Sequence, residues 1–220
     1  ISAKSASVYF LITGVLLSDQ QIHNEHYRPG ARMKFFVVSV EMSTRGPEII
    51  LSRTNSGIVK EIFKQEIPEI ASGVIEIKGI ARDAGFRSKV AVATGDSTID
   101  PIGSCIGQRG SRINTVIEEL GGEKIDVIQF SDDAVKYITQ SLSPAKVLGV
   151  ELNDEQKSAN VKVLPEQFSV AIGRGGQNVR LASELTGWKI NVVQEGTPAV
   201  AEEVPAEDAP VVEAKEEKEE

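Results

Sequence analysis

Across residues 36–42 apolar side chains recur at every second position, the period at which a strand sends side chains to alternate faces. Phe36, Val38, Val40 and Met42 alternate with Val37, Ser39 and Glu41. Thr44-Arg45-Gly46-Pro47 then supplies a turn, and Glu48 to Leu51 resumes an apolar strand ending at Ser52-Arg53. Val8 to Ile12 reads as an earlier strand. Three paired strands are part of a small barrel, since even a five-stranded OB barrel needs two more.

From Gly57 the period becomes helical: Val59, Ile62 and Phe63 share a face, and Pro68 marks the end. Val74 to Ile80 and Lys89 to Thr94 predict two strands around a turn at Asp83-Ala84-Gly85. Asp100-Pro101 opens a short helix running to Ile106, because Asp accepts from the orphan N–H groups and Pro suits the first helical position. After Gly107 to Gly110, the residues Ile113, Val116, Ile117 and Leu120 follow helical spacing and stop at Gly121-Gly122; Lys124 to Phe130 closes the unit as a strand.

The same order then repeats. Ser131, Asp132 and Asp133 cap a helix carrying Val135, Ile138 and Leu142 up to Pro144, and strands follow near Val147 to Leu152 and Val161 to Leu164. A helix from Pro165 leads into Ile172-Gly173-Arg174-Gly175-Gly176. Val179, Ala182 and Leu185 line the next helix, Gly187 ends it, and Lys189 to Val193 is the last strand. The two glycine loops lie 66 residues apart, and the strands after them, Lys124-Ile125 and Lys189-Ile190, lie 65 apart. The repeat is therefore αββααβ, one residue shorter in its second copy.

Charge narrows the chemistry. The 220 residues carry a net charge of -8, but residues 197–220 hold -7 of it, so the body is nearly neutral and a uniformly basic nucleic-acid coat is excluded. Cationic patches are local. From Pro101 to Asn114 there is no acid beside Arg109 and Arg112, and from Gln167 to Leu181 none beside Arg174 and Arg180. The single cysteine, Cys105, excludes an internal disulfide framework and fits a cytoplasmic protein. His23 and His26 are too few for a zinc site without scattered carboxylates, and they read as solvated side chains. Val8 to Leu17 is shorter than the roughly 20 residues of a membrane span. No small-x-small cleavage pattern follows it, so it reads as a strand rather than a signal peptide. Residue 1 is Ile, which suggests a fragment.

Each glycine loop joins two helices, so the first N–H groups of the second helix face the loop and favour an anion. Glycine at both ends lets the main chain approach a sugar-phosphate backbone, and Arg109 and Arg174 add charge. A lone G-x-x-G is weak evidence, because glycine pairs commonly punctuate helix ends; its repetition in the same context is much stronger. An enzyme binding nucleotide phosphates is the competing reading. Gly103 to Gly107 lacks the Gly-Lys-Ser/Thr ending of a P-loop, neither loop is G-x-G-x-x-G after a strand, and no catalytic set can be proposed from spacing.

Gly107-Gln108-Arg109-Gly110 and Gly173-Arg174-Gly175-Gly176 in this setting resemble the KH family of the bacterial αββααβ type, over roughly residues 56–196. The G-x-x-G loop of that family clamps about four nucleotides. Tyr27-Arg28-Pro29-Gly30, Asp100-Pro101-Ile102-Gly103, Gly121 to Asp126, Leu142-Ser143-Pro144-Ala145 and Leu185 to Ile190 further resemble the NusA family of bacterial transcription factors. The implied fold class is α+β, a partial OB-like β-barrel segment followed by two tandem KH domains. The expected domains are 1–55 (OB-fold barrel), 56–131 (first KH), 132–196 (second KH) and 197–220 (disordered acidic tail). The resemblance implies a non-enzymatic protein that binds single-stranded nascent RNA and modulates pausing, termination and antitermination. It implies no cofactor and no membrane, a monomer, and RNA polymerase and other Nus-type factors as partners.

The RNA-binding residues so expected are Ile106, Gly107, Gln108, Arg109, Gly110 and Arg112 in the first unit. In the second they are Ile172, Gly173, Arg174, Gly175, Gly176, Asn178 and Arg180. The family's polymerase-binding domain and the first barrel strands have no counterpart before Val8, and Arg109 and Arg174 occupy different interior slots of their loops. Cys105 reads as a buried thiol and Trp188 as a packing residue. An aromatic content of 5% suits a KH groove better than an RRM sheet. The tail reads as a solubilising segment or as an internal competitor for the loop cations.

Overall fold

In the N-terminal segment, turn chemistry and one irregularity decide the sheet. The computed structural model describes residues 13–44 and 46–195; the expected strand Val8–Ile12 and the tail 197–220 lie outside the described residues. Strands β2 (Phe36–Ser43) and β3 (Gly46–Ser52) pair antiparallel, with Ser43 opposite Gly46. Strand β1 (Gly14–Leu16) lies parallel to β3 on its other side. The uniform alternation expected for β2 does not hold, because the register shifts between Val37 and Ser39. One extra residue reverses the facing of everything beyond it. Phe36 consequently packs onto the core of the first αββααβ unit, whereas Val40 is 61% and Met42 82% exposed.

Arg53 bolts this segment to the next unit. It is 1% exposed, pairs through Nε and Nη2 with the Glu25 carboxylate, and donates to the Lys34 carbonyl at 2.8 Å and the Glu119 carbonyl at 3.2 Å. A buried guanidinium with its donors satisfied in this way costs little, while an unpaired one would cost several kcal/mol.

The first unit comprises α1 (Gly57–Glu66), α2 (Pro68–Ala71), β4 (Ile75–Asp83), β5 (Arg87–Thr94), α3 (Pro101–Ile106), α4 (Ser111–Glu119) and β6 (Lys124–Gln129). As expected, α1 stops just before Pro68. Pro68 takes the first position of α2, where its missing N–H is harmless. The hairpin also extends to Asp83, so its turn is Ala84 to Phe86. The second unit comprises α5 (Ala134–Ser141), β7 (Val147–Asn153), β8 (Ser158–Val163), α6 (Pro165–Ile172), α7 (Gln177–Thr186) and β9 (Lys189–Gln194). Both sheets share one topology, an antiparallel pair followed by a parallel third strand, in the orders β4-β5-β6 and β7-β8-β9. Ile62, Phe63, Val90, Val116 and Leu120 centre one core; Ile138, Leu142, Val161 and Ala182 centre the other.

The two units are docked, not merely linked. Ala91 and Ile128 on the back of the first sheet pack with Tyr137 of α5, and Phe130 and Leu185 join them. The Tyr137 hydroxyl donates to the Leu185 carbonyl at 3.3 Å. Lys89, fully buried, pairs with Asp126 and donates to the Ser143 carbonyl of the second unit, both at 3.1 Å. In the second unit the corresponding strand pairs are Asn160 opposite Asn191 and Lys162 opposite Val193, with Asn160, Asn191 and Lys162 exposed. The repeated topology therefore carries an apolar docking face on its first copy alone.

Candidate nucleic-acid interface

Each loop is shaped by the helix that enters it. Asp100 caps α3, its Oδ1 accepting from the Ile102 N–H at 3.0 Å, and the helix closes as the Gly107 N–H bonds the Gly103 carbonyl at 2.9 Å. The chain then passes through positive φ at Gly107 (74°), Arg109 (53°) and Gly110 (77°) before entering α4. In the second unit the matching angles are 76° at Gly173, 58° at Gly175 and 74° at Gly176, before α7. The two loops share one backbone conformation. Its hydrogen bonds close at Gly110 N–H to Gly107 O (3.1 Å) and at Gly176 N–H to Gly173 O (3.2 Å). Among the described residues, the interior N–H groups of Gln108 and Arg109, and of Arg174 and Gly175, have no protein acceptor, as an anion cradle at a helix N-terminus requires.

The first glycine of each loop is required twice over. Its φ disfavours any Cβ, and a Cβ at Gly107 or Gly173 would stand 2.8 Å from Arg112 Cγ or from the Asn178 main-chain nitrogen. Arg109 carries a side chain in the left-handed region where the second loop uses Gly175, a conformation that clusters at functional sites.

The expected site residues divide into two groups. Gln108, Arg109, Arg174 and Gly175 are exposed, and Arg109 and Arg174 enter no ion pair among the described residues. Ile106 is exposed beside the first loop and Ile172 half-buried beside the second. Arg112, Asn178 and Arg180 bond to other parts of the chain, Arg180 remaining exposed. Arg112 donates through Nη1 to the Ser104 carbonyl (2.7 Å) and to Glu69 Oε2 (2.9 Å). Asn178, which takes the same place in the second unit, is 3% exposed and donates through Nδ2 to the carbonyls of Ala171 (3.0 Å), Leu142 (3.1 Å) and Val170 (3.3 Å). Both are braces that tie the helix before the loop to the helix after it. Arg180 donates to Asp83 Oδ2 at 2.7 Å, in the first unit.

Sequence reasoning missed Glu69 and Asp83, because the acid-free windows around each loop count only neighbours in sequence. Glu69 comes from α2, where its own backbone N–H, and then the Arg112 guanidinium, hold its carboxyl below the usual carboxylate range. A cleft of about 810 Å³ opens beside the first loop, lined by Glu69, Thr98, Asp100, Ser104, Gly107 and Gln108 among others. It flanks α3 on the Ser104 side. Ile106 is not among the residues that line it.

Cys105 is fully buried, and burial pushes its thiol up to about 12, which makes it inert at neutral pH. Trp188 packs against the second core, with Lys157 Nζ 4.7 Å from its ring centre. His23 and His26 are exposed. Among the described residues no group of three or more His, Cys, Asp or Glu side chains could hold a metal ion, and no helix is long and apolar enough to cross a membrane.

Two αββααβ units, each with a G-x-x-G turn between its last two helices and a parallel third strand, define a tandem KH protein. Family models agree: that of the NusA-like first KH domain matches residues 53–130, and that of the NusA-like second KH domain residues 134–199. The chain is 47% identical over 184 residues to the transcription termination/antitermination protein NusA of Bacillus subtilis, covering 84% of this chain and 50% of that protein. To the protein of the same name from Thermus thermophilus it is 51% identical over 172 residues, covering 78% and 44%. To that of Mycobacterium tuberculosis it is 44% identical over 186, covering 84% and 54%. The chain belongs to the NusA family. It spans about half the length of these relatives.

Proposed function

We propose that this chain is the RNA-gripping part of a NusA-type termination/antitermination factor. It is a non-enzymatic module whose two loops, 107–110 and 173–176, each hold the backbone of single-stranded nascent RNA. One observation carries the reading: the same three positive-φ positions occur twice, each time between two helices with two exposed interior residues, one of them an arginine. Gln108, Arg109, Arg174 and Gly175 face phosphate in this reading, and bases lie beside Ile106 and Ile172. Arg112 and Asn178 brace the helices on either side of each loop, and Arg180 ties α7 to Asp83 of the first unit. The functional domains are taken as 1–55, 56–131, 132–196 and the acidic 197–220. RNA polymerase and other Nus-type factors as partners, a cytoplasmic location and a monomeric state belong to the same proposal.

Titration of a labelled RNA into the full chain at fixed salt tests it. Replacing Gln108 and Arg109, or Arg174 and Gly175, by Asp sets carboxylates where phosphate should sit, and affinity should fall while circular dichroism is unchanged. Unaltered affinity in both pairs removes the loops from the site. Saturable ATP or NAD binding that RNA does not compete away would favour the nucleotide enzyme instead.

A further inference from the structure

The helix behind the second loop is fastened to the first KH unit at both of its ends. At its C-terminal end Leu185 joins the apolar cluster on the back of the first sheet. At its N-terminal end a single carboxylate oxygen, Asp83 Oδ2, accepts from Gln177 Nε2 and from Arg180 Nη2, both at 2.7 Å. Gln177 directly follows Gly176, the last residue of the second loop. The ten residues of α7 span about 15 Å at ~1.5 Å per residue, so the two attachments stand well apart along the helix. The Tyr137 cluster and the Lys89–Ser143 bond already join the two units; the Asp83 contacts add a separate attachment that limits rotation of α7 about that docking.

Asp83 is itself presented on a rigid base. Its neighbour Arg82 pairs with Glu123 at 2.9 Å, the two side chains being 3% and 0% exposed. The Gly85 N–H donates to the same Glu123 oxygen at 2.9 Å, and the Phe86 N–H closes the turn onto the Asp83 carbonyl at 3.0 Å. Satisfied buried networks of this kind fix geometry. The hairpin tip of the first unit is therefore a fixed post, and the second loop is moored to it.

Resting on the reading of the loops as phosphate sites, we propose that Asp83 is a positioning residue that sets the distance between the two sites. The chain thereby selects RNA by the number of nucleotides separating its two contacted segments. Two sites on one RNA raise affinity only when their spacing matches the span of the ligand, and a fixed span makes that requirement sharp.

The test uses the full chain and RNAs of two contact segments of about four nucleotides each, joined by abasic spacers of graded length, with single-segment RNA as reference. The native protein should show a narrow spacer optimum. Asp83→Ala should leave single-segment affinity and thermal stability nearly unchanged, lower affinity at the best spacer several-fold, and broaden the optimum. The charge-exchanged pair Asp83→Arg with Arg180→Asp should restore the narrow profile, which a general loosening of the fold would not allow. An unchanged profile in Asp83→Ala with single-segment binding intact overturns the proposal. So does a rise in single-segment affinity in Asp83→Ala, since Asp83 would then merely mask Arg180. Failure of every RNA to bind the native chain refutes the loop reading itself and takes this proposal with it.

Discussion

Four alanine substitutions, one at each end of each loop, should differ in cost although every one falls at φ from 74° to 77°. The left-handed conformation costs a side-chain-bearing residue about 1–2 kcal/mol, a charge common to all four. The space does not match. A Cβ at Gly176 meets nothing within 4 Å, and at Gly110 its nearest neighbour, Asn114 Nδ2, is at an ordinary 3.5 Å. At Gly173 it would stand 2.8 Å from the main-chain nitrogen of Asn178, whose side chain is anchored to three carbonyls and cannot retreat. Overpacking adds about 1–3 kcal/mol there. At Gly107 the 2.8 Å neighbour is a side-chain carbon of Arg112, which can yield in part. Gly173→Ala should therefore cost about 2–5 kcal/mol, Gly107→Ala somewhat less, and Gly110→Ala and Gly176→Ala about 1–2 kcal/mol. Urea unfolding of the four variants at one pH, with slopes compared to confirm an unchanged transition, measures the order. Equal losses across the four, or Gly176→Ala more harmful than Gly173→Ala, would refute the argument that the loop's first glycine is dictated by the brace behind it.

Further outcomes follow from the same geometry. Gly175→Arg places in open space the cation that Arg109 supplies in the first loop; RNA affinity should rise a few-fold at low salt for about 1–2 kcal/mol of stability, read by titration and by melting. Burial pushes both the Cys105 thiol and the Tyr137 hydroxyl up to about 12, from 9.0 and 10.0. The unfolded chain ionises first, so stability present below pH 9.0 should decline as pH rises toward about 12, and Cys105→Ala should remove the part that begins near pH 9.0. Denaturant midpoints across that range that do not move would contradict the assignment to burial. Deleting residues 197–220 removes -7 of charge and should raise RNA affinity a few-fold at low salt and hardly at high salt if the carboxylates compete for Arg109 and Arg174. An unaltered low-salt affinity leaves the tail as a solubilising segment.

Much of this architecture is written in local pattern. The switch from period 2 to period 3.6 at Gly57, the Asp100-Pro101 start and the glycines bracketing each loop act through backbone sterics and capping, forces spanning only a few residues. Periodicity and repetition thus located both αββααβ units and both loops. Partnerships between charges are another matter. Arg112 finds Glu69 across 43 residues and Arg180 finds Asp83 across 97, contacts that no local window of sequence shows. The bulge after Val37, which sends Phe36 inward and leaves Met42 outside, depends on pairing with a second strand. A third long-range choice docks the second unit on the first sheet through Ala91, Ile128 and Leu185. Local sterics are fixed residue by residue, so the sequence alone determined the two loops; which partners each charged side chain meets depends on what folding brings beside it, and only the tertiary structure decided that.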